Sequence, residues 1–192
     1  MSSTATRQTI LEAARELLER DPWSGVGLGD VAREAGVSRQ AIYLHFGSRS
    51  ALLLALVDWV DEVEGLGDLV ARVDGAPTGP EALDELVALN AAFEPRIRSV
   101  VVAHDAARRS DADLEAAWQD RMRHRRALYR RVAIRLEAEG VLALPRDEAV
   151  DLVWALLGSR VHEDLVVARG WSRKRYEQRM RALLRTALLE GG

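Results

Sequence analysis

The stretch from Asp30 to Leu53, "DVAREAGVSRQAIYLHFGSRSALL", sets a glycine between two short helical patterns and follows it with a polar, aromatic and basic cluster. The first pattern is amphipathic through Leu28, Val31, Ala32 and Ala35. Gly36 then supplies the positive φ that lets a chain turn sharply after a helix. Val37 plugs the corner, and Ser38 can accept a hydrogen bond from the freed amides of the next helix, so two helices meet steeply across about three residues. This spacing predicts helix-turn-helix geometry. In the second helix Ile42 and Phe46 point back to the core, which turns Arg39, Gln40, Ala41 and Tyr43 outward near its N-terminus. Glutamine can bond adenine, arginine can bond guanine, and an alanine methyl can touch a thymine methyl within a major groove wide enough for a helix. Tyr43, His45 and Arg49 are placed for phosphates, and a helix beginning near Ser48 adds its backbone amides. Glycine after one helix and serine before the next also occur in ordinary helical hairpins, so spacing alone leaves both readings open.

Outward from this stretch the periodicity stays helical, with apolar residues three and four apart and no alternating runs bounded by turn pairs. The fold class is all-α. Ile10, Ala13, Ala14, Leu17 and Leu18 mark a first helix over about residues 6–20, stopped by Asp21-Pro22. Short helices follow over about 28–35 and 39–46, and a longer one over about 48–73. "DGAPTGP", residues 74–80, concentrates proline and glycine and is the candidate domain boundary. Further helices are expected over about 81–93, 95–109, 111–139, 147–169 and 173–189, with Ser110 and Asp113 as a capping box, Gly140 and Gly170 as helix stops and Ser172 as a cap. The resulting division is a helix-turn-helix domain over 1–48, a connecting helix and loop over 49–80, and an effector-binding and dimerisation domain over 81–192.

The chain of 192 residues is long enough for one substantial core or a small domain joined to a larger one. Its N-terminus enters an amphipathic pattern in place of a signal-peptide apolar run, and no apolar run reaches the roughly 20 residues that span a bilayer. A cytoplasmic protein with no membrane partner is expected. The absence of cysteine removes thiolate catalysis, disulfides and cysteine-ligated zinc. The formal charge of −3 lacks the basic excess of many nucleic-acid binders. The acids crowd the first helix, however, whereas 33–49 is locally basic, and over a Debye length of about 8 Å local charge is what phosphates feel.

"ILEAARELLERDPWSGVGLGDVAREAGVSRQAIYLHFGSRSALLLAL" resembles the N-terminal domain of TetR-family (tetracycline-repressor-like) transcriptional regulators. The resemblance combines the first-helix pattern, "DVAREAGVS", the "IYLHF" ending and a basic residue opening the fourth helix; "RGWSRKRYEQRMRALLRTAL" resembles the family's last helix more weakly. It implies a homodimer whose recognition helices enter successive major grooves of double-stranded operator DNA, and a repressor released when a small molecule in the C-terminal domain alters their separation. By position it makes Ser38, Arg39, Gln40, Tyr43, His45 and Arg49 the DNA contacts, with Ile42 and Phe46 holding the recognition helix. Where the family usually caps the second helix with threonine, this chain has Gly27, and Gly29 follows inside the helix at a cost of about 1 kcal/mol relative to alanine. A looser second helix and one lost phosphate contact per subunit are expected.

In the C-terminal half "RMRHRRALYRRVAIR", residues 121–135, scatters its arginines around the helix instead of collecting them on one side. Arg121 and Arg125 fall within the apolar stripe of Leu114, Trp118, Leu128, Val132 and Leu136, and a guanidinium facing a core needs a partner. Two partners remain open: Asp164, or an anionic, amphipathic small-molecule effector in a pocket lined by Phe93, Trp118, Tyr129 and Trp154. The helix over 147–169 is apolar on two sides, so a second subunit is expected against Leu152, Leu156 and Val167, joined by Tyr176, Met180, Leu183, Leu184 and Leu188 of the last helix.

His104, His124 and His162 lie far apart in sequence, with no HExxH, glycine-rich phosphate loop or G-x-S-x-G elbow, so neither an enzyme nor a metal site nor a cofactor is expected. The competing reading is a helical adaptor without DNA affinity.

Overall fold

The computed structural model describes residues 3–22 and 27–190. The outermost limits assigned to the domains, residues 1–2 and 191–192, lie outside the described residues. The chain is helical: α1 Ser3–Arg20, α2 Leu28–Glu34, α3 Arg39–Phe46, α4 Arg49–Val63, α5 Leu66–Gly75, α6 Gly79–Arg108, α7 Ala112–Ala138, α8 Arg146–Leu156, α9 Ser159–His162, a π-helical turn Glu163–Ala168, and α10 Arg173–Leu188. The β-pairing among the described residues is a single antiparallel bridge between Leu142 and Leu189. No described helix is long and apolar enough to cross a membrane.

By compactness the chain forms two units. The first holds the residues up to Glu64 together with Arg96–Arg121, and the second holds Gly65–Pro95 and the chain from Met122 onward. In the first unit Ile10, Leu11, Ala14 and Leu18 of α1 are fully buried with Val31, Ile42, Leu52 and Leu56, so α4 closes the core of the three preceding helices. In the second, Leu83, Leu86, Leu136, Leu157, Tyr176 and Leu184 are the large side chains at its centre.

Four expectations about the helices change. The helix over 48–73 is broken where Gly65, at φ +71°, lets α4 end and α5 begin. The break expected before Pro95 does not occur, and α6 runs through it with the Pro95 ring itself exposed. The helix over 147–169 ends at Leu157, and Gly158 takes extended angles before α9 and the π-helical turn. The Leu157 carbonyl there accepts from Asn90 Nδ2 at 2.9 Å and from Arg125 Nη2. Finally Asp111, and not Ser110, caps α7, its Oδ1 accepting from the Asp113 and Leu114 amides at 3.1 Å each. A reciprocal capping box at the start of α6 went unread: the Thr78 amide donates to Glu81 Oε2 at 3.0 Å and the Glu81 amide donates to Thr78 Oγ1 at 3.3 Å.

Candidate nucleic-acid interface and effector recess

The turn between α2 and α3 is built from its glycine. Gly36 sits at φ +65°, its amide donates to the Arg33 carbonyl at 3.3 Å, and the Val37 amide reaches the Ala32 carbonyl at 2.9 Å. These paired bonds form a Schellman stop, which only a left-handed residue permits. Ser38 then accepts from the Ala41 amide at 3.1 Å, starting α3. Ile42 is 1% exposed and fixes the helix's rotation about its own axis. That rotation leaves Arg39, Gln40 and Tyr43 exposed and Ala41 and His45 half-buried. Phe46 is half-buried, with the Arg7 guanidinium 5.2 Å from its ring centre and the His45 ring tilted against it at 6.3 Å. Gly47, at φ +75°, ends α3, and Ser48 caps α4 by accepting from the Ala51 amide at 3.0 Å, which leaves Ser48 and Arg49 exposed beside the recognition face. Gly27 offers α2 no side-chain cap, and the Asp30 carboxylate occupies the space a Cβ there would need, 2.7 Å away.

The sequence reading missed one residue of this face. Leu44 is 81% exposed, on the turn after Gln40 and away from the Ile42 side of α3. Its signal was present: at about 100° per residue it projects about 200° from Ile42, so an apolar side chain had to sit on the polar face.

The same unit contains a small recess, its free volume about 10 Å³ and so room for about one water, walled by Val57, Val60 and Asp61 of α4 and by Ile97, Val100, Val101, His104, Trp118 and Arg121. Arg121 makes a two-pronged ion pair with Asp61, its Nη2 donating to Oδ1 at 2.8 Å. His104 Nε2 donates to the Leu114 carbonyl at 2.9 Å, and its ring meets Trp118 edge-on at 5.5 Å. The Trp118 ring also carries the Arg108 guanidinium, 4.8 Å from its centre. Burial pushes the His104 pKa down, helped by the Arg121 and Arg108 charges and opposed by the Leu114 bond, so the ring is held neutral. At the end of α4, Glu64 pairs with Arg15 of α1 at 2.7 Å and with Arg96 at 3.6 Å.

The remaining expected ligand residues do not join this recess. Phe93 is buried in the second unit, where Tyr129 and Trp154 meet edge-on at 6.2 Å. Arg125 there pairs with Glu94 at 3.2 Å and also donates to Tyr129 Oη and the Leu157 carbonyl. Its Nε and Nη2 donors are committed to protein groups, which makes it part of a core ion pair. The Asp164 alternative is corrected for both arginines: Arg121 takes Asp61, Arg125 takes Glu94, and Asp164 lies beside Arg160 at 3.7 Å. The subunit face is corrected in part. Tyr176, Met180, Leu184 and Leu188 are 0–5% exposed within one chain and so have no surface left for a second. Leu152, Val167 and Leu183 are exposed, with Leu156 between these extremes. No group of three or more His, Asp or Glu side chains that could hold a metal comes together among the described residues.

A glycine-stopped helix, a serine-capped second helix and an outward polar face on a small helical core define a helix-turn-helix domain. Residues 10–56 match the model of the bacterial regulatory proteins, tetR family. Over 51 residues it is 51% identical to the HTH-type transcriptional regulator AlkX of Mycobacterium tuberculosis, covering 27% of this chain and 24% of that one. Over 111 residues it is 31% identical to the HTH-type transcriptional regulator EthR of the same organism, covering 57% of this chain and 51% of EthR. The chain thus spans about half the length, or less, of these curated relatives. Its fold is similar to that of a transcriptional regulator from Saccharomonospora viridis in complex with choline, with a TM-score of 0.83, 21% identity, and coverage of 97% of this chain and 99% of that one.

Proposed function

We propose that this protein is a sequence-specific DNA-binding transcriptional regulator, a homodimeric repressor that a small molecule releases from its operator. The observation that carries the reading is the exposure of Arg39, Gln40 and Tyr43 on a helix whose opposite side is locked by buried Ile42. In this reading Gln40, Arg39 and Ala41 read base edges, while Ser38, Tyr43, His45 and Arg49 hold phosphates. Residues 1–48, joined by Arg49, carry the DNA contacts, 49–80 connect and supply one wall of the recess, and 81–192 supply its other wall and the subunit face. The apolar side chains of Leu152, Val167 and Leu183, on α8, the π-helical turn and α10, are the part of that face still open to a second copy.

The effector opens the recess of Trp118 and Arg121, which otherwise has room for about one water, and its charged end competes for one member of the Asp61–Arg121 pair. The pair ties α7 to α4, and α4 closes the core beneath the recognition helix, so its opening shifts the element on which DNA contact depends. An acidic amphipath is the first choice, because a carboxylate replaces Asp61 on the arginine fork. The choline bound by the Saccharomonospora viridis protein favours a second choice, an organic cation on Asp61.

Binding of the full chain to the duplex upstream of its own gene, measured against salt, tests the DNA reading. A dimer touching on the order of eight phosphates gives a log-log slope of about −7. No slope and no sequence preference would instead favour a helical adaptor. Thermal shifts with fatty acids and quaternary amines test the effector: Arg121→Ala abolishes an acid's shift and Asp61→Asn abolishes a cation's.

A further inference from the structure

Leu44 is the most exposed large apolar side chain among the described residues, and it stands alone. At 81% exposure it lies on α3 among Arg39, Gln40 and Tyr43, all exposed, with Arg49 just beyond the helix. An apolar patch for a protein partner would need apolar neighbours, and here the rim is polar and basic. Such a rim suits a polyanion, and what a lone leucine at its centre can recognise is an apolar point within a charged surface. The major groove of DNA offers one such point, the thymine C5-methyl.

The geometry points to Leu44 as a thymine-methyl reader, a specificity-determining residue next to Gln40; the inference rests on the DNA-binding reading above. Residues 40 and 44 are one turn apart on the same face of α3, a rise of about 6 Å along the axis. Base pairs are stacked about 3.4 Å apart, so the two side chains address base pairs about one or two steps apart. Gln40 takes an adenine through N6 and N7, and Leu44 covers the methyl of a thymine on a neighbouring pair. Ala41, assigned to such a methyl on sequence grounds, is half-buried and shorter, so Leu44 is the better placed of the two.

The test uses the full chain and a duplex selected from a random-sequence pool by the wild-type protein. Each thymine of the selected half-site is replaced in turn by deoxyuridine, which keeps every hydrogen-bonding group and removes only the methyl. The expected result is one position per half-site at which the wild type loses about fourfold in affinity, as burial of one methyl-sized group predicts. At that position Leu44→Ala shows no further loss, while Gln40→Ala keeps the full deoxyuridine effect. Because Leu44 is exposed, the Ala variant should melt as the wild type does. Selective binding with no uridine-sensitive thymine, or equal sensitivity in Leu44→Ala, overturns the assignment and leaves the regulator reading standing. A wild type that selects no duplex at all overturns both.

Discussion

Ser38 Oγ accepts the Ala41 backbone N–H at 3.1 Å, and this bond starts the helix that carries every proposed base contact. The first-turn amides of a helix lack internal partners, so a serine cap stabilises by about 1 kcal/mol. Ser38→Ala should lower stability by about that amount in urea denaturation. It should weaken DNA binding by more than the stability loss accounts for, because it also removes a proposed phosphate contact. Equal binding by the two proteins would place Ser38 outside the interface.

Gln40 and Tyr43 separate base reading from phosphate anchoring. Both are exposed, and neither is part of the core. Gln40→Ala should lower discrimination by about 1 to 3 kcal/mol at one base pair and spare nonspecific affinity. Tyr43→Phe should weaken all sequences alike. Competition binding against single-base variants of the selected duplex distinguishes the two, and identical behaviour would sink the division.

The glycines of α2 and its turn should respond in opposite directions. A Cβ at Gly29 meets nothing within 4 Å, so Gly29→Ala should stabilise by about 1 kcal/mol through helix propensity. Gly36 also has open space, but its φ of +65° is one that L side chains adopt at a cost of about 1 kcal/mol or more, so Gly36→Ala should destabilise. Melting curves of both variants check the pair together.

The helix-turn-helix was legible because its rules are local: a glycine stop, a serine cap and a three-to-four apolar period lie within about twenty residues of one another. The elements misjudged were set by distant partners. Nothing near Leu157 in sequence announces that Asn90 and Arg125 hold its carbonyl and end the helix there. Asp61 and Glu94, the actual partners of Arg121 and Arg125, lie on other helices, and a helical projection could say only that each arginine needed an acid. The last helix shows a different limit. Its apolar stripe of Tyr176, Met180, Leu184 and Leu188 reads the same whether it faces its own chain or another, and the 0–5% exposure decides for its own.

His104 gives the first unit a pH-dependent stability. The groups facing it are the Leu114 carbonyl, Trp118, Asp105 and the Arg108 and Arg121 guanidiniums, and with burial the sum lowers its pKa from 6.5. A depressed histidine is protonated first in the unfolded chain, so its stabilising contribution is complete above about pH 6.5 and is lost as pH falls toward the folded value. The melting temperature should therefore fall between neutrality and pH 5. His104→Gln should flatten that part of the profile even though it lowers stability overall. An unchanged slope would assign the acid sensitivity to other groups.

Glu94 and Arg125 should show the energetics of a buried pair. Glu94 is 7% exposed, accepts from Ser159 Oγ at 3.1 Å and faces Arg125 at 3.2 Å. Glu94→Gln leaves the guanidinium without its counter-charge in a largely apolar setting, and a stranded buried charge costs about 3 to 5 kcal/mol. Arg125 keeps its bonds to Tyr129 and the Leu157 carbonyl, so the lower end of that range is expected. Replacing both members with methionine removes the charge together with the need for it, and should recover most of the loss. Chemical denaturation of Glu94→Met, Arg125→Met and the double variant forms the cycle. A double variant as unstable as the sum of the singles would show that the two residues act independently, and would deny the pair its role in holding α8 at its early end.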